Sequence, residues 1–181
     1  MIIEVHAIQT FGPSNLNRDD TGNPKDALFG GVRRARVSSQ SAKRAMRISE
    51  IFAQEIQTDP GTRTKTLIKV VTEQLVEAGM PEGEAQESAT LVVNAVFASP
   101  DKNDTTKTNV LVYVSADEIG LLIDYILQAR QQSALPDGAQ LKKDLKKALQ
   151  QRSLAPDIAL FGRMLAEHPD LNVDAACEMM H

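Results

Sequence analysis

The stretch between Gln9 and Val37 constrains the fold of this 181-residue chain more than any other part of its sequence. Residues that favour turns are so dense in it that neither a helix nor a central strand is expected to pass through. A loop of this length inside a compact protein is usually functional or disordered. The apolar cluster Ala27–Gly31 is expected to anchor the loop, which favours a functional one. The turn-forming residues are Gly12, Pro13, Asn15, Asn17, Asp19, Asp20, Gly22, Asn23, Pro24, Gly30 and Gly31.

Regular structure is predicted on both sides of this loop. Residues 1–8 alternate in hydrophobicity, which predicts a strand that is buried on at least one face. After the loop, Ser38 and Ser39 offer an N-cap, and the pattern predicts a first helix from about Ser39 to about Gln57. Its apolar face is formed at helical spacing by Ala42, Ala45, Met46, Ser49, Phe52, Ala53 and Ile56.

The rest of the chain is predicted to be mostly helical. The apolar run Val110–Val114 predicts a strand, and Ser115 with Glu118 has the spacing of a capping box that begins the next helix. An apolar segment follows at Pro156–Met164, and Asn172 is predicted to cap a last helix. The lysine-rich face of the helix before that segment is expected to be solvated. The predicted helices span residues 64–78, 83–97, 115–131, 138–152 and 172–180.

Charge is distributed unevenly along the chain. The formal net charge is −4, which on average argues against a nucleic-acid-binding protein. The segment from residue 33 to residue 47, however, has six basic residues and no acidic one, whereas carboxylates concentrate between Glu73 and Glu87 and near the C-terminus. A one-sided anion-binding surface has this charge pattern, and the local patch matters more than the sum. The six basic residues are Arg33, Arg34, Arg36, Lys43, Arg44 and Arg47.

Two further features bear on the compartment. No segment approaches the roughly 18 consecutive apolar residues that a membrane span needs, and no apolar run follows a basic N-terminus. Cys177 is the only cysteine, so neither an intrachain disulfide nor a thiolate metal cluster can form. The cysteine is expected to be a small buried apolar side chain. Together these features favour a cytoplasmic protein.

Little in the sequence predicts catalysis. The motifs of common nucleophilic and metal-dependent enzymes are absent, and the three histidines are too scattered for a metal site. Asp19 and Asp20 could hold a divalent ion, since carboxylate oxygens are the ligands that magnesium prefers. Alternatively, they cap turns or pair with Arg18 and Lys25. The sequence therefore predicts no catalytic residue, no metal and no cofactor.

Between Asn17 and Arg47, three features that bind phosphate adjoin one another. Glycines let a backbone approach a phosphate closely, a helix N-terminus offers free N–H groups, and guanidinium groups bind phosphate oxygens bidentately. Because aromatic residues make up only 4% of the chain, contacts are expected to favour phosphate and sugar over bases. The pattern predicts RNA binding without sequence readout. Surface ion pairs or solvated charges are the alternative for the arginines.

The same block carries a resemblance to a known family. N-R-D-D from Asn17, K-D-A-L-F-G-G from Lys25 and R-R-x-R-x-S-S-Q-S-x-K-R-A-M-R from Arg33 resemble the CasC family, the backbone subunit of the type I-E CRISPR surveillance complex Cascade. A second similar segment, D-I-A-L-F-G-R-M from Asp157, is followed by N-V-D-A-A from Asn172. The resemblance covers both ends of the chain, whereas the middle is matched only by its helical character.

The resemblance implies an α+β fold in which an RRM-like (ferredoxin-like) palm carries a large helical fingers insertion and a thumb. Residues 1–57 would be the N-terminal part of the palm, 58–156 the fingers insertion, and 157–181 a segment that returns toward the palm. Members of the family are roughly twice this length. The thumb and most of the remaining palm strands are therefore expected after His181.

A function in antiviral defence is also implied. Copies of the family stack head to tail along one CRISPR RNA and present it for pairing with target DNA, while a separate helicase-nuclease cuts. The implied partners are guide RNA, target DNA through the guide, other copies of the chain and other Cascade subunits, with no membrane. The resemblance assigns guide contacts to Arg18, Lys25, Ser38, Gln40, Lys43, Arg47 and Arg163 and places Met164 beside the RNA; Arg33, Arg34, Arg36 and Arg44 are candidates from charge alone.

Two other functions remain open at this point. The chain could be a helical protein-interaction module whose basic face docks an acidic partner. It could also be a metal-dependent ribonuclease that uses Asp19 or Asp20, because related backbone subunits of other CRISPR types cut target RNA with a loop aspartate.

Overall fold

A computed structural model describes residues 1–56, 59–132 and 137–180. The chain divides into two compact units: an N-terminal unit, Met1–Ile48 with Met179 and Met180, and a helical unit, Ser49–Glu178. The division predicted from the resemblance sets its first boundary after residue 57, and its assignment of palm and fingers stays a prediction. In the described residues the fold is mixed α+β, with two small antiparallel sheets. Its elements are β1 (Asp26–Phe29), β2 (Val32–Ala35), α1 (Ser39–Arg47), α2 (Glu50–Glu55), β3 (Thr62–Thr64), α3 (Leu67–Glu77), α4 (Glu82–Val96), β4 (Val112–Val114), α5 (Ala116–Gln131), α6 (Gly138–Gln150) and α7 (Pro156–Phe161), with a short 3₁₀ helix at Pro169–Leu171.

The hydrophobic core lies in the helical unit, where α3, α4, α5 and α6 pack together. The predicted stripe of α3 is fully buried, and so are the inward positions of α4. Complete burial of one such side chain contributes about 1.5–3 kcal/mol. The predictions of α3, α4 and α6 are confirmed to within a few residues. None of the helices in the described ranges is both long and apolar enough to cross a membrane.

The start of α5 is built as predicted. Glu118 N–H donates to Ser115 Oγ (3.2 Å), and Ser115 N–H donates to Glu118 Oε2 (2.9 Å). This reciprocal capping box satisfies two helix-terminal donors. The strand before it, β4, is confirmed but is shorter than the apolar run suggests.

A buried carboxylate joins the β3–β4 sheet to α7. Asp157 is fully buried and accepts a hydrogen bond from the Gly61 N–H (2.9 Å) and another from the Tyr113 hydroxyl. Because a buried carboxylate is stable only when it is hydrogen-bonded, this cluster fixes α7 against the sheet.

The prediction of a strand over residues 1–8 is wrong for this structure. In the described chain β1 pairs with β2 and β3 pairs with β4, and no strand pairs with residues 1–8. Ile3, Val5 and Ile8 are exposed as a result. Alternating hydrophobicity favours a strand, but only a neighbouring backbone can satisfy its N–H and C=O groups.

The prediction of one long loop from Gln9 to Val37 is also wrong, because β1 and β2 form a hairpin inside it. Gly30 and Gly31 make its two-residue turn with φ values of +60° and +76°. Positive φ at both positions is the geometry of a type I′ turn, which only glycine adopts without cost at both. The cluster expected to be an apolar anchor is the tip of this hairpin, and Leu28 and Phe29 are 77% and 55% exposed.

The helix predicted from Ser39 to Gln57 is two helices. Ile48 ends α1, and Ser49 is extended (ψ 141°) with its side chain accepting a hydrogen bond from the Phe52 N–H (3.1 Å). A serine hydroxyl competes with the backbone for N–H donors, so Ser49 caps α2 rather than continuing α1. Gln57 lies outside the described residues.

The last predicted helix, residues 172–180, does not form. Arg163 and Val173 instead exchange two backbone hydrogen bonds of 2.9 Å, and Asn172 Oδ1 accepts from the Leu165 N–H rather than capping a helix. The Cys177 N–H donates to Leu160 O, and the cysteine, expected to be buried, is only half-buried. These long-range contacts outweigh the weak local helical preference.

Candidate nucleic-acid interface

Residues 17–36 form three antiparallel extended segments in the N-terminal unit, which we call the three legs. The first leg forms a backbone bridge between Arg18 and Pro24, the second runs into β1, and the third is β2. Lys25 lies in the middle leg: its N–H donates to Asn17 O (2.7 Å), and its own carbonyl accepts from the Arg36 N–H (2.9 Å). The middle leg is thus held on both sides.

Asn17 also fixes the start of α1. The Ser38 N–H donates to Asn17 Oδ1 (3.0 Å), which joins residues 21 positions apart. Ser38 is buried, and its Oγ accepts from the Ser41 N–H (3.3 Å) as the N-cap. The first intrahelical bond runs from Ala42 N–H to Ser38 O. The N–H groups of the residues just after the cap therefore lie at an open helix N-terminus beside the three legs.

The register of the hairpin divides its side chains between two faces. Residues opposite one another in an antiparallel ladder project from the same face, and neighbours along a strand project from opposite faces. Ala27 pairs with Arg34 and Phe29 with Val32, and the backbone bond between Lys25 and Arg36 continues the register. One face therefore carries Lys25, Arg34 and Arg36, which we call the basic face.

Within the hairpin, the opposite face is close to neutral. It carries Asp26 and Arg33, whose side chains form an ion pair with Nε and Oδ2 2.8 Å apart. Arg18, opposite Pro24, projects from this face by the same alternation. The structure thus separates Arg18 and Arg33 from the basic face, although all five cations belong to one sequence block.

The predicted RNA-facing side of α1 lies within one helix. Gln40, Lys43 and Arg47 follow the three- and four-residue spacing of neighbours on a helix surface, and the first turn holds no acidic residue. Gln40 is exposed, and Lys43 and Arg47 are half-buried; Arg44, on another side, is exposed. Within the described part of the chain no carboxylate lies within ion-pair distance of Lys25, Arg34 or Lys43.

Asp19 caps the turn between the first two legs. Its Oδ1 accepts from the Thr21 N–H, the Thr21 hydroxyl and the Asn23 N–H at 2.8–2.9 Å. These bonds, first that of the Thr21 hydroxyl, hold the pKa of Asp19 below its ordinary value. This is the turn-capping geometry that was the alternative to a metal ligand. Among residues 1–56, 59–132 and 137–180, no three His, Cys, Asp or Glu side chains are placed to hold a metal ion.

Arg163 and Met164 belong to the helical unit. The Arg163 guanidinium is buried and binds both carboxylate oxygens of Glu118 at 2.7 Å, with further bonds to the carbonyls of Tyr113 (3.2 Å) and Leu171 (3.3 Å). Both terminal nitrogens of the guanidinium are therefore bonded inside the protein, although Nε has no hydrogen-bond partner among the described residues. The resemblance had assigned this side chain to guide RNA. Met164, by contrast, is 79% exposed.

With this geometry in place, comparison with known proteins identifies the family. A family model described as "CT1975-like protein" matches residues 3–181. The chain belongs to the CT1975-like family. No match is found among curated protein sequences.

Solved structures extend the comparison. The chain is 34% identical, with a TM-score of 0.67, to a chain titled "CRISPR RNA-guided surveillance complex", over 93% of this chain and 54% of that one. A second chain, titled "CRISPR RNA-guided surveillance complex, pre-nicking", is 32% identical with a TM-score of 0.62, over 90% and 47%. The chain spans about half the length of these solved chains. The resemblance to a surveillance-complex subunit is confirmed, while the narrower assignment to CasC stays a prediction.

Sequence reasoning did not predict the contact of Asn17 with Ser38 or the place of Phe29 at the tip of a hairpin. Asn17 stands first in the N-R-D-D motif, but no local pattern indicates its contact, because its partner Ser38 is 21 positions away. Phe29 could have been found, since Gly-Gly between two short strand-forming runs is a known hairpin signal.

Proposed function

We propose that this chain is a guide-RNA-binding subunit of a CRISPR surveillance complex, and that its N-terminal unit binds the sugar-phosphate backbone of the guide without reading its sequence. The observation that carries the proposal is the basic face of the hairpin, held through Asn17 beside the open N-terminus of α1. The similarity to chains of solved surveillance complexes supports the same function.

The chemistry of the site suits a polyanion. Lys25 and Arg34 offer cations that no described carboxylate neutralises, and the N-terminus of α1 adds backbone donors and a partial positive charge. Within β1 and β2 no acidic side chain projects from the basic face. Asp19, which the same alternation places on this face in the first leg, has its carboxylate bonded to Thr21 and Asn23 in the turn. Such a surface attracts any single-stranded RNA, and its affinity is expected to fall steeply with salt.

The finer architecture is part of the proposal. The three legs and α1 would form part of an RRM-like palm, and the helical unit would be its fingers insertion. Several copies would lie along one guide RNA and present it to target DNA. We propose that the subunit itself does not cut; the use of the Asp19 carboxylate as a turn cap supports this for one of the two candidate aspartates.

The test is RNA binding by basic-face variants at several salt concentrations. Labelled single-stranded RNAs of two unrelated sequences are titrated with the full chain and followed by fluorescence anisotropy. We expect Lys25→Ala, Arg34→Ala and Lys43→Ala each to weaken the binding of both RNAs alike. Each is also expected to reduce the slope of log affinity against log salt concentration by about 0.7 per lost phosphate contact. Intact RNA after incubation with Mg²⁺ is expected in every sample.

Two matched controls separate this site from general charge. Arg33→Ala removes a cation from the opposite face, and Lys69→Ala removes an exposed cation that pairs with Glu73 on α3. Both are expected to leave the affinity nearly unchanged. Equal effects of basic-face and control variants would contradict the proposal, and preferential binding of acidic polypeptides over RNA would favour the protein-interaction alternative.

A further inference from the structure

The tip of the β1–β2 hairpin presents an aromatic side chain on the basic face. Phe29 and Val32 close the hairpin and project from the same face as Lys25, Arg34 and Arg36. Phe29 is 55% exposed. Val32 beside it is 52% exposed, so two apolar side chains lie together at the end of a row of cations.

Arg34 reaches the same place. Its Nε donates to the Phe29 carbonyl oxygen at 3.3 Å, which brings the guanidinium two residues along the ladder to the backbone of Phe29. An aromatic face beside a guanidinium group is a surface that binds one nucleotide twice, the base by stacking and the phosphate by charge.

From this arrangement we propose that Phe29 stacks on a base of the bound RNA while Arg34 holds the adjacent phosphate. The inference rests on the proposed function and adds to it a contact that the low aromatic content argued against. Stacking tolerates any base, because every base has a π-face. It therefore fixes the position of one nucleotide along the hairpin without reading its identity.

The opposite face argues for RNA rather than protein as the occupant. Leu28 is also exposed at the hairpin tip, but it projects with the neutral Asp26–Arg33 pair. Phe29 and Val32 share one face with the unneutralised cations, whereas Leu28 shares the opposite face, where Arg33 is paired with Asp26. A polyanion with flat bases matches the first face in both charge and shape.

A cycle of protein and RNA changes tests the stacking contact. Binding of an oligoadenosine RNA and of an abasic ribose-phosphate oligomer of equal length is measured for the unaltered chain and for Phe29→Leu. We expect the substitution to weaken oligoadenosine binding about five-fold or more, and to leave abasic binding and both salt slopes nearly unchanged. Leu28→Ala, the matched change on the other face, is expected to leave both unchanged. Equal losses for the two oligomers, or no loss with oligoadenosine, would overturn the inference.

Fluorescence gives an independent readout, because the chain has no tryptophan. Emission of Phe29→Trp is expected to be quenched by saturating oligoadenosine but not by the abasic oligomer, and emission of Leu28→Trp by neither. Unquenched emission of Phe29→Trp with RNA bound would exclude stacking at this position. If Phe29→Leu changed the self-association of the chain but not its RNA affinity, the tip of the hairpin would be a protein-docking site. That result would also overturn the inference of stacking.

Failure of the two proposals can be told apart. If the unaltered chain shows no salt-dependent RNA binding, the proposed function fails. If it binds RNA but Phe29→Leu binds as well as the unaltered chain, the stacking contact alone is wrong.

Discussion

Glu118 and Arg163 form a buried ion pair in which the guanidinium nitrogen lies 2.7 Å from both carboxylate oxygens. Both side chains are less than 5% exposed, and the guanidinium also lies over the Phe97 ring. The same Glu118 completes the capping box of α5. The pair therefore ties the start of α5 to the segment after α7, and a residue expected to hold RNA holds the helical unit together.

Removing the charge of Glu118 is expected to be costly. Glu118→Gln leaves the Arg163 guanidinium buried without a counter-ion, which should lower the free energy of unfolding by about 3–5 kcal/mol. Urea denaturation followed by circular dichroism measures the change. Glu84→Gln is the matched control, because Glu84 pairs with Arg130 at the surface (3.2 Å) and an exposed pair contributes about 0–1 kcal/mol. Similar costs for the two variants would mean that the buried pair is not a major contact.

The side chain of Asn17 is expected to order the start of α1. Asn17→Ala removes the acceptor of the Ser38 N–H, and loss of one such hydrogen bond costs about 1 kcal/mol. Hydrogen exchange of the Ser38 amide should therefore become about five-fold faster, with weaker RNA binding in parallel. The control is Asn15→Ala, an exposed asparagine two residues earlier. Unchanged exchange at Ser38 would show that the side-chain bond does not hold the segment.

Gly162 is expected to accept no side chain. Its φ is +77°, and a Cβ there would lie 2.8 Å from the Val173 carbonyl oxygen. Gly162→Ala should therefore destabilise the helical unit by about 1–3 kcal/mol. Gly120→Ala, inside α5 with open space around it, should instead stabilise it by up to about 1 kcal/mol. Thermal unfolding of both variants shows whether the Tm falls or rises. Shifts of the Tm in the same direction would contradict the different backbone requirements of Gly162 and Gly120.

Stability is expected to fall between pH 7.5 and pH 5.5 through His168. The ring is buried, its Nε2 lies 3.1 Å from Asn94 O, and among the described residues its Nδ1 has no hydrogen-bond partner. Burial lowers the pKa of His168, and Lys142 and Lys146 add to this. The hydrogen bond with Asn94 O and the charge of Asp170 oppose it without reversing it. The folded state thus favours the neutral ring. Above the ordinary pKa of 6.5 this preference costs nothing, and as the pH falls below 6.5 the unfolded state binds a proton more readily, so the free energy of unfolding decreases. Urea denaturation midpoints at pH 7.5 and pH 5.5 measure the loss of stability, which should be smaller in His168→Gln than in the unaltered chain. Equal losses in the variant and the unaltered chain would show that groups other than His168 cause it.

Elements with strong local patterns could be predicted from the sequence. The buried stripe of α3, the capping box at Ser115 and the leucines of α6 depend on spacing within one segment, and the structure has them as predicted. The basic block was also visible, because its charges are consecutive in the chain.

Predictions that needed a partner elsewhere in the chain failed or could not be made. Residues 1–8 have the pattern of a strand but pair with no strand in the described chain. Residues 172–180 do not form a helix, because their backbone bonds instead to α7 and Arg163. The pairing of Arg163 with Glu118 joins residues 45 positions apart. No local pattern distinguishes such an arginine from an exposed one.

The sequence by itself determined the helices of the core, their caps and the presence of a cationic block, because each depends on side chains a few residues apart. Only the tertiary structure decided which cations share a face. The register of the hairpin places Lys25, Arg34 and Arg36 on one face, and the Asn17–Ser38 hydrogen bond holds α1 beside it. Arg33 instead pairs with Asp26, and Arg163 is buried. The physical reason is that charge is a property of a residue, but availability for a ligand depends on neighbours that folding brings from elsewhere in the chain.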